Sequence, residues 1–530
     1  MNQSIISSDS SLQYGPPASH AHDLLSKPFF RLSVYVTLIL ISLVLYSGSR
    51  RDRSIDFCNQ HGEKMKKIKS NTRFRRFAAG WELSQEGNKL ANGAPYRIRN
   101  GSKTEVVLSK PKHMQEFYGG DGKDHIKAPN MNMGHYFDRI LGQSAGVQSG
   151  ERWRATRAHF DPSFSHLAAT GFQQKFSDEI LRWLENLSND FHVVSKTAES
   201  FSIDAVQACH VLPFKLVAYA CYGDILTDTT FAELLKLNET HEMLALTAFF
   251  NPRAISKIYG MFPFPETRAM DAYQKDWKSF NMRVIDAARK TSTYCPAEHI
   301  YKGVEEGRMT AASFLQTIDE ILFTNVDVTS AVLAFLLINL AANEGCQDDL
   351  RAEMVREIQK SESQLPDIGR LQAYTTASDS LLEYTCMESV RLCPATWFSL
   401  PEYSPHEKVI DGYRVPAGTA TVVDWKRLNT QSDVWNPTSD PAVTGDTFEP
   451  RRFQKLNPSQ YRYSLLRFGL GPRKCIGKNF AAVIMKTFLL LVVSQYRLEM
   501  QDELKSEKIA TRDDRFTITP KQAVRFVRIR

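Results

Sequence analysis

The sequence predicts a mainly α-helical protein with small β-sheets and one N-terminal transmembrane helix. Three observations predict it. Apolar residues recur at 3.6-residue spacing over 167–188, 201–222, 229–250, 268–290, 311–343, 346–361 and 378–392. Strand-like patterns are few and short, at 95–99, 105–108, 407–424 and in the last fifteen residues. A separate apolar run, Leu32 to Tyr46, lies near the N-terminus. The 530 residues, 42% hydrophobic and 24% charged, supply a sizeable core for one large domain or two ordinary ones.

Residues 1–28 are rich in Ser, Pro, His and Asp and are expected to form a disordered lumenal tail. The run from Leu32 to Tyr46 covers roughly 23 Å as a helix, and Phe29, Phe30 and a snorkelling Arg31 extend it towards the ~30 Å of a hydrocarbon core. A transmembrane anchor over 29–47 is expected. The other readings are a cleaved signal peptide and a buried helix, but a signal peptide opens on a basic segment close to the terminus, and this run starts later. Arg50, Arg51 and Arg53 follow at once, so the chain beyond should be cytosolic. Residues 48–74 read as a basic linker along the membrane surface, and 75–530 as the folded domain. The apolar run 331–342 is too short for a second span and continues a polar-striped helix, so it is read as core.

The net charge of +7 is mild, no zinc-finger spacing occurs, and basic residues are not interleaved with aromatics, which argues against nucleic acid. Eight cysteines are scattered without Cys-x-x-Cys pairs, the usage of a reducing compartment.

The chemistry centres on Phe468-Gly-Leu-Gly-Pro-Arg473-Lys-Cys475-Ile-Gly477, just before an apolar helix pattern over about 480–493. Glycines let backbone approach a ligand closely. Backbone N–H groups and the following helix dipole are expected to stabilise a Cys475 thiolate. The bland alternative is a buried structural cysteine in a turn. The spacing Phe-Gly-x-Gly-x-Arg-x-Cys-x-Gly, followed by Ala481, resembles the haem-binding loop of the cytochrome P450 monooxygenases.

That resemblance covers about residues 75–530 and implies the cytochrome P450 fold, with haem b held by Cys475 as the iron ligand. A thiolate there favours O–O cleavage. It implies that Phe468 packs near the thiolate and that Arg473 reaches a propionate. Trp153 and Arg157, at i and i+4 on one helix face, match the family's Trp-x-x-x-Arg beside the propionates; alone, that pair equally describes a surface cation–π contact. Glu388-x-x-Arg391 with Arg452 matches a structural trio that locks the fold. On the long helix, Gln316, Glu320, Thr324 and Asp327 form a polar stripe, which a wet active site would satisfy. There Asp327 and Thr329 match the family's proton-delivering acid and last hydroxyl, while Asn325 replaces a glycine and Val328 a threonine. The Asn-x-Asp-Val-Thr variant is similar to that of fungal secondary-metabolite enzymes.

Substrate-facing segments follow by the same analogy: 127–142, with Met131, Met133, His135, Tyr136 and Phe137, then 248–265, 395–401 and 516–519. His135, His159 and His210 are read as packing residues. No flavin or ferredoxin domain is recognisable, so the resemblance implies electrons from NADPH through a separate cytochrome P450 reductase, with cytochrome b5 as a further donor. Lys474, Lys478 and Arg467 offer a basic docking face. The expected function is oxidation of a lipophilic small molecule by dioxygen at the endoplasmic reticulum membrane. The rivals are a reductase-independent haem-thiolate isomerase or dehydratase and a non-catalytic haem-binding protein.

Overall fold

The computed structural model describes residues 57–101, 103–358, 368–436, 441–501, 511–512 and 517–529, with 35–37, 39–40 and 42. The chain divides into two units, Met1–Asp56 and Phe57–Arg530. In the first, the few described residues are helical and exposed; the rest of the expected anchor and the tail lie outside the described residues.

The second unit begins at Phe57 rather than at 75. Phe57, Met65 and Ile68 are buried, and Lys67–Asn71 pairs with Tyr96–Asn100, so this stretch of the expected linker belongs to the domain. That pairing opens a six-stranded sheet continued by Lys103–Leu108, Ala420–Val423, Glu402–Tyr403 and Ile126–Lys127. A four-stranded sheet orders Tyr496–Met500, Ala523–Arg528, Ser200–Asp204 and Val193–Lys196. Two strand pairs, Lys408–Ile410 with Tyr413–Val415 and Thr511–Arg512 with Thr519–Pro520, complete the described sheets.

Helices make up the rest. The expected ones form as Gln173–Leu187, Asp228–Phe250, Pro265–Thr291, Ala311–Ala341, Glu344–Ile358, Leu381–Leu392 and Lys478–Gln495. The pattern over 201–222 is different: Ser200–Asp204 is a strand, and the helix proper is Leu212–Tyr222. Phe201 and Ile203 alternate with serines, a period-2 pattern, and their strand pairs antiparallel with Ala523–Arg528. Tertiary pairing therefore overrides the helical period at this point.

Ala311–Ala341 organises the core. Its 31 residues extend about 46 Å, and it packs against Leu212–Tyr222, Pro296–Glu305, Leu381–Leu392 and Lys478–Gln495. The run 331–341 is buried apart from a half-buried Val332, in agreement with its reading as core.

Candidate active site

The cysteine loop is held from behind by a fully buried ionic knot. Glu388 and Arg391, one helical turn apart on Leu381–Leu392, form a forked pair: Arg391 Nε donates to Oε2 at 2.7 Å and Nη2 to Oε1 at 2.8 Å. Arg452 Nε donates to Oε1 at 2.9 Å from the opposite side, and the Glu449 N–H adds another bond at 2.9 Å. Two cations on one carboxylate leave a surplus positive charge, which backbone carbonyls absorb. Arg391 donates to Asn429 and Thr447, and Arg452 to Trp435, Thr444 and Thr447. The trio expected from sequence is thus assembled with its charges matched inside the protein.

Asn429 passes this rigidity on. Its side chain accepts from the Leu466 N–H at 2.8 Å and donates to the Leu466 carbonyl at 3.2 Å. Leu466 stands two residues before Phe468, whose carbonyl accepts the Cys475 N–H at 2.8 Å. Between them Gly469 and Gly471 adopt φ of +81° and +68°, a region that a Cβ disfavours. The chain then enters the helix Lys478–Gln495 through Gly477.

Cys475 is exposed, whereas the other seven cysteines are buried or half-buried. Burial in the loop pushes the thiol up, opposed by the Gly477 backbone N–H and the nearby Arg157 and Lys478.

The three residues expected at the propionates come together. The guanidinium carbon of Arg473 lies 4.8 Å from the Trp153 ring centre, and that of Arg157 lies 6.0 Å from it. Arg157 is tied to Asp161 at 2.6 Å and to the Lys474 carbonyl at 3.2 Å. Arg473 donates to the Gln148 carbonyl, while its Nε is buried without a hydrogen-bond partner. Burial lowers the Arg473 pKa, with Arg157 adding to that effect. A half-buried cation with a buried, unspent donor beside a second cation suits an anionic carboxylate, and an accessible thiol in the adjoining loop suits iron. The donor set fits a haem.

A further cation near this group escaped sequence reasoning. Lys127 is paired with Glu402, which also accepts the Tyr118 hydroxyl at 3.0 Å. Burial pushes the Glu402 carboxyl up, but Lys127, His125 and Tyr118 outweigh it and hold it at about 2. No local motif announces this pair, because Lys127 and Glu402 sit on strands far apart in sequence.

The polar stripe of the long helix serves two purposes. Gln316 accepts the Gln143 N–H at 2.6 Å, Thr317 the Ala145 N–H at 3.0 Å, and Glu320 the Gly146 N–H at 2.9 Å. This half clamps a loop; it does not line a wet site. A Cβ at Gly146 would meet Glu320 Oε1, so the carboxylate would have to shift to admit one. Farther along, Asp327, Val328 and Thr329 are half-buried between the buried Val326 and Ser330. Asp327 lines a cavity of about 200 Å³ with Phe137, Ile140, Phe249, Phe323 and Val326. Thr329 does not line that cavity, and the side chains of Thr324 and Asn325 lie outside the described set.

Of the segments expected to face substrate, 127–142 and 248–265 contribute to this cavity through Phe137, Ile140, Leu141, Ala248, Phe249 and Phe250. Thr517, Ile518 and Thr519 are buried, with Ile518 bonded to the Ala395 carbonyl at 2.9 Å, and Phe516 lies outside the described residues. His135 packs over Gly260 and His159 over Gly303, whereas His210 joins the cavity wall. Lys474 and Lys478 are exposed, and Arg467 is paired with Glu383 at 3.1 Å.

Comparison with known proteins decides the family. The Cytochrome P450 sequence profile matches residues 83–524. The chain belongs to the cytochrome P450 family. Its relatives include Cytochrome P450 monooxygenase lepD of Aspergillus flavus, 38% identical over 452 residues, 85% of this chain and 87% of that protein. Cytochrome P450 monooxygenase apdB of Emericella nidulans is 36% identical over 89% of this chain and 92% of its own. Cytochrome P450 monooxygenase opdB of Penicillium oxalicum is 34% identical over 88% and 90%. The chain is accordingly a haem-thiolate monooxygenase of this family.

Proposed function

We propose that this cytochrome P450 monooxygenase oxidises a lipophilic small molecule of fungal secondary metabolism, with electrons delivered from NADPH by a separate cytochrome P450 reductase. Cytochrome b5 is a second donor on this reading, and the exposed Lys474 and Lys478 beside the cysteine loop offer a basic surface to an acidic flavoprotein. The observation that carries the reading is the accessible Cys475 thiol together with the half-buried Arg473, whose buried Nε has no partner. Haem bound there supplies dioxygen activation and the oxidant.

The chain's own residues take the remaining tasks. Cys475 holds the iron, and Arg473, Arg157 and Trp153 hold the propionates. Phe468 packs beside the sulfur, and its carbonyl fixes the Cys475 backbone. The aromatic cavity wall binds the apolar body of the substrate and excludes bulk water. Asp327 moves a proton at its carboxyl oxygen towards the reacting centre, and Thr329 supplies the hydroxyl of the same relay. Residues 29–47 anchor the chain in the endoplasmic reticulum membrane with the domain in the cytosol, on the apolar run and the arginines behind it.

The test is reconstitution of the full chain in detergent with haem, NADPH and the reductase, monitoring oxygen consumption against product formed from extracts of the producing organism. Reductase-dependent turnover coupled to product is expected. Product formation without reductase assigns the chain to the isomerase or dehydratase class, and haem uptake without any turnover assigns it to the non-catalytic class.

A further inference from the structure

On the wall of the cavity beside Asp327 stands His241, backed by two buried side chains from neighbouring helices that none of the sequence motifs touches. Asp319, on the same long helix, is 1% exposed. Its Oδ2 accepts the Tyr273 hydroxyl at 2.5 Å, and its Oδ1 lies 2.9 Å from His241 Nε2. Among the described residues His241 is the only basic side chain in ion-pair range of Asp319. Among the described residues neither Nε2 nor Oδ1 has a hydrogen-bond partner elsewhere, and their 2.9 Å contact is not itself aligned as a hydrogen bond. Each atom has only the other to turn to.

A buried carboxylate is held by donors, so a single ring proton belongs on Nε2, facing Asp319. Phe323 and Tyr273 fix the ring plane, with centroids 5.0 and 5.6 Å away. His241 lines the cavity. With Nε2 committed to Asp319, the nitrogen left for the cavity is Nδ1, which carries a lone pair and has no protein partner among the described residues. Glu242 and Asp327 line the same space, and their carboxylates also accept. The polar lining of the cavity thus combines these two carboxylates and His241 with Asn238 and His210, which can donate as well as accept, and the rest of it is aromatic and aliphatic.

We propose that His241 is a specificity-determining residue whose Nδ1 accepts a hydrogen bond from an N–H or O–H group of an otherwise apolar substrate. Asp319 and Tyr273 are positioning residues that set the ring's tautomer and plane. The inference rests on the reading of this cavity as the substrate site. The low-polarity surroundings strengthen the bond, and an apolar molecule with no donor leaves His241 Nδ1 unpaired.

Two isomeric probes separate donor from shape: 4-phenylbutan-1-ol, which has an O–H, and 3-methoxypropylbenzene, which has none. Their dissociation constants are measured by titration calorimetry on the haem-loaded full chain in detergent. The wild type is expected to bind the alcohol about tenfold more tightly than the ether. His241→Phe should level the two while leaving ether affinity within about twofold. His241→Gln, whose amide oxygen accepts, should keep part of the preference, and Asp319→Asn should weaken it by freeing the tautomer. Equal affinities in the wild type, or a preference that survives His241→Phe, overturn the proposal. If His241→Phe takes up no haem, His241→Met makes the same comparison: levelled affinities support the proposal, and a surviving preference overturns it. A wild type without a thiolate-type ferrous–CO spectrum would sink the haem-thiolate reading alone, because the probe measurement does not depend on turnover.

Discussion

The cysteine loop and the middle of the long helix are both made of polar groups carried into a buried setting, and they solve the problem in opposite ways. Behind the loop, Glu388, Arg391 and Arg452 spend their charged groups on one another and on backbone carbonyls. Around Asp327, a carboxylate faces a cavity wall that is otherwise mostly apolar. The first arrangement fixes geometry and has little left to bind with. The second is adaptable because its partners include molecules other than the protein. In this chain rigidity and recognition are assigned to different residues, and substitutions should separate them.

The largest effect is expected at the loop itself. Cys475→Ala should abolish the thiolate-type spectrum of the ferrous–CO complex and bring turnover below detection, since no other described cysteine is exposed. Haem retained through Arg473 and Arg157 would show a shifted spectrum; an unchanged one would remove Cys475 from the iron. Next comes the knot. Arg391→Ala or Arg452→Ala leaves the buried Glu388 short of a cation, at a cost of about 3–5 kcal/mol. Yield of folded, haem-containing protein should collapse in both, as read by the haem-to-protein absorbance ratio. Arg391→Lys should restore only part of the yield, because an ammonium does not fork onto Glu388 while also reaching Asn429 and Thr447.

These two regions also differ in how much of them was legible from the sequence. The knot was, because Glu388 and Arg391 lie one helical turn apart and Arg452 belongs to a short local motif. The loop was, because its glycines, arginine and cysteine fall within ten residues. The stripe on the long helix was legible as a stripe and misassigned in its first half, since Gln316 and Glu320 meet backbone N–H groups of 143–146 that no periodicity reveals. His241, Asp319 and Tyr273 come from three helices and share no spacing, so only the packing of Asp228–Phe250, Pro265–Thr291 and Ala311–Ala341 brings them together. Ser200–Asp204 was hidden by two periods that fit equally until its pairing partner was known.

The stripe itself supplies the next test. If its halves have separate duties, Glu320→Ala and Asp327→Asn should fail in different assays. Glu320→Ala leaves the Gly146 N–H without its acceptor and should destabilise the domain by about 1–3 kcal/mol, lowering the melting temperature while residual turnover per folded haem stays close to normal. Asp327→Asn should leave melting nearly unchanged and lower kcat by about a hundredfold, with little change in substrate Kd, as expected for loss of a proton-moving group. The reverse pattern would assign the catalytic carboxylate to Glu320.

The smallest effect is expected at Thr329. Residues on a helix are about 100° apart, so its hydroxyl does not occupy the position that Val328 holds, and it does not line the cavity that Asp327 lines. Any contribution to proton delivery passes through Asp327 or through a water between them. Thr329→Val removes the hydroxyl at nearly constant volume, so packing should be unaffected and melting should shift by no more than a degree or two. Turnover should fall only a few-fold, and the more sensitive readout is hydrogen peroxide released per NADPH consumed, which should rise as proton delivery loses direction. In the Asp327→Asn background the same substitution should add almost nothing, because residues that act as one relay are not additive. Full coupling in Thr329→Val would take this residue out of the relay and leave Asp327 to work with the Thr324 hydroxyl or a donor on the substrate.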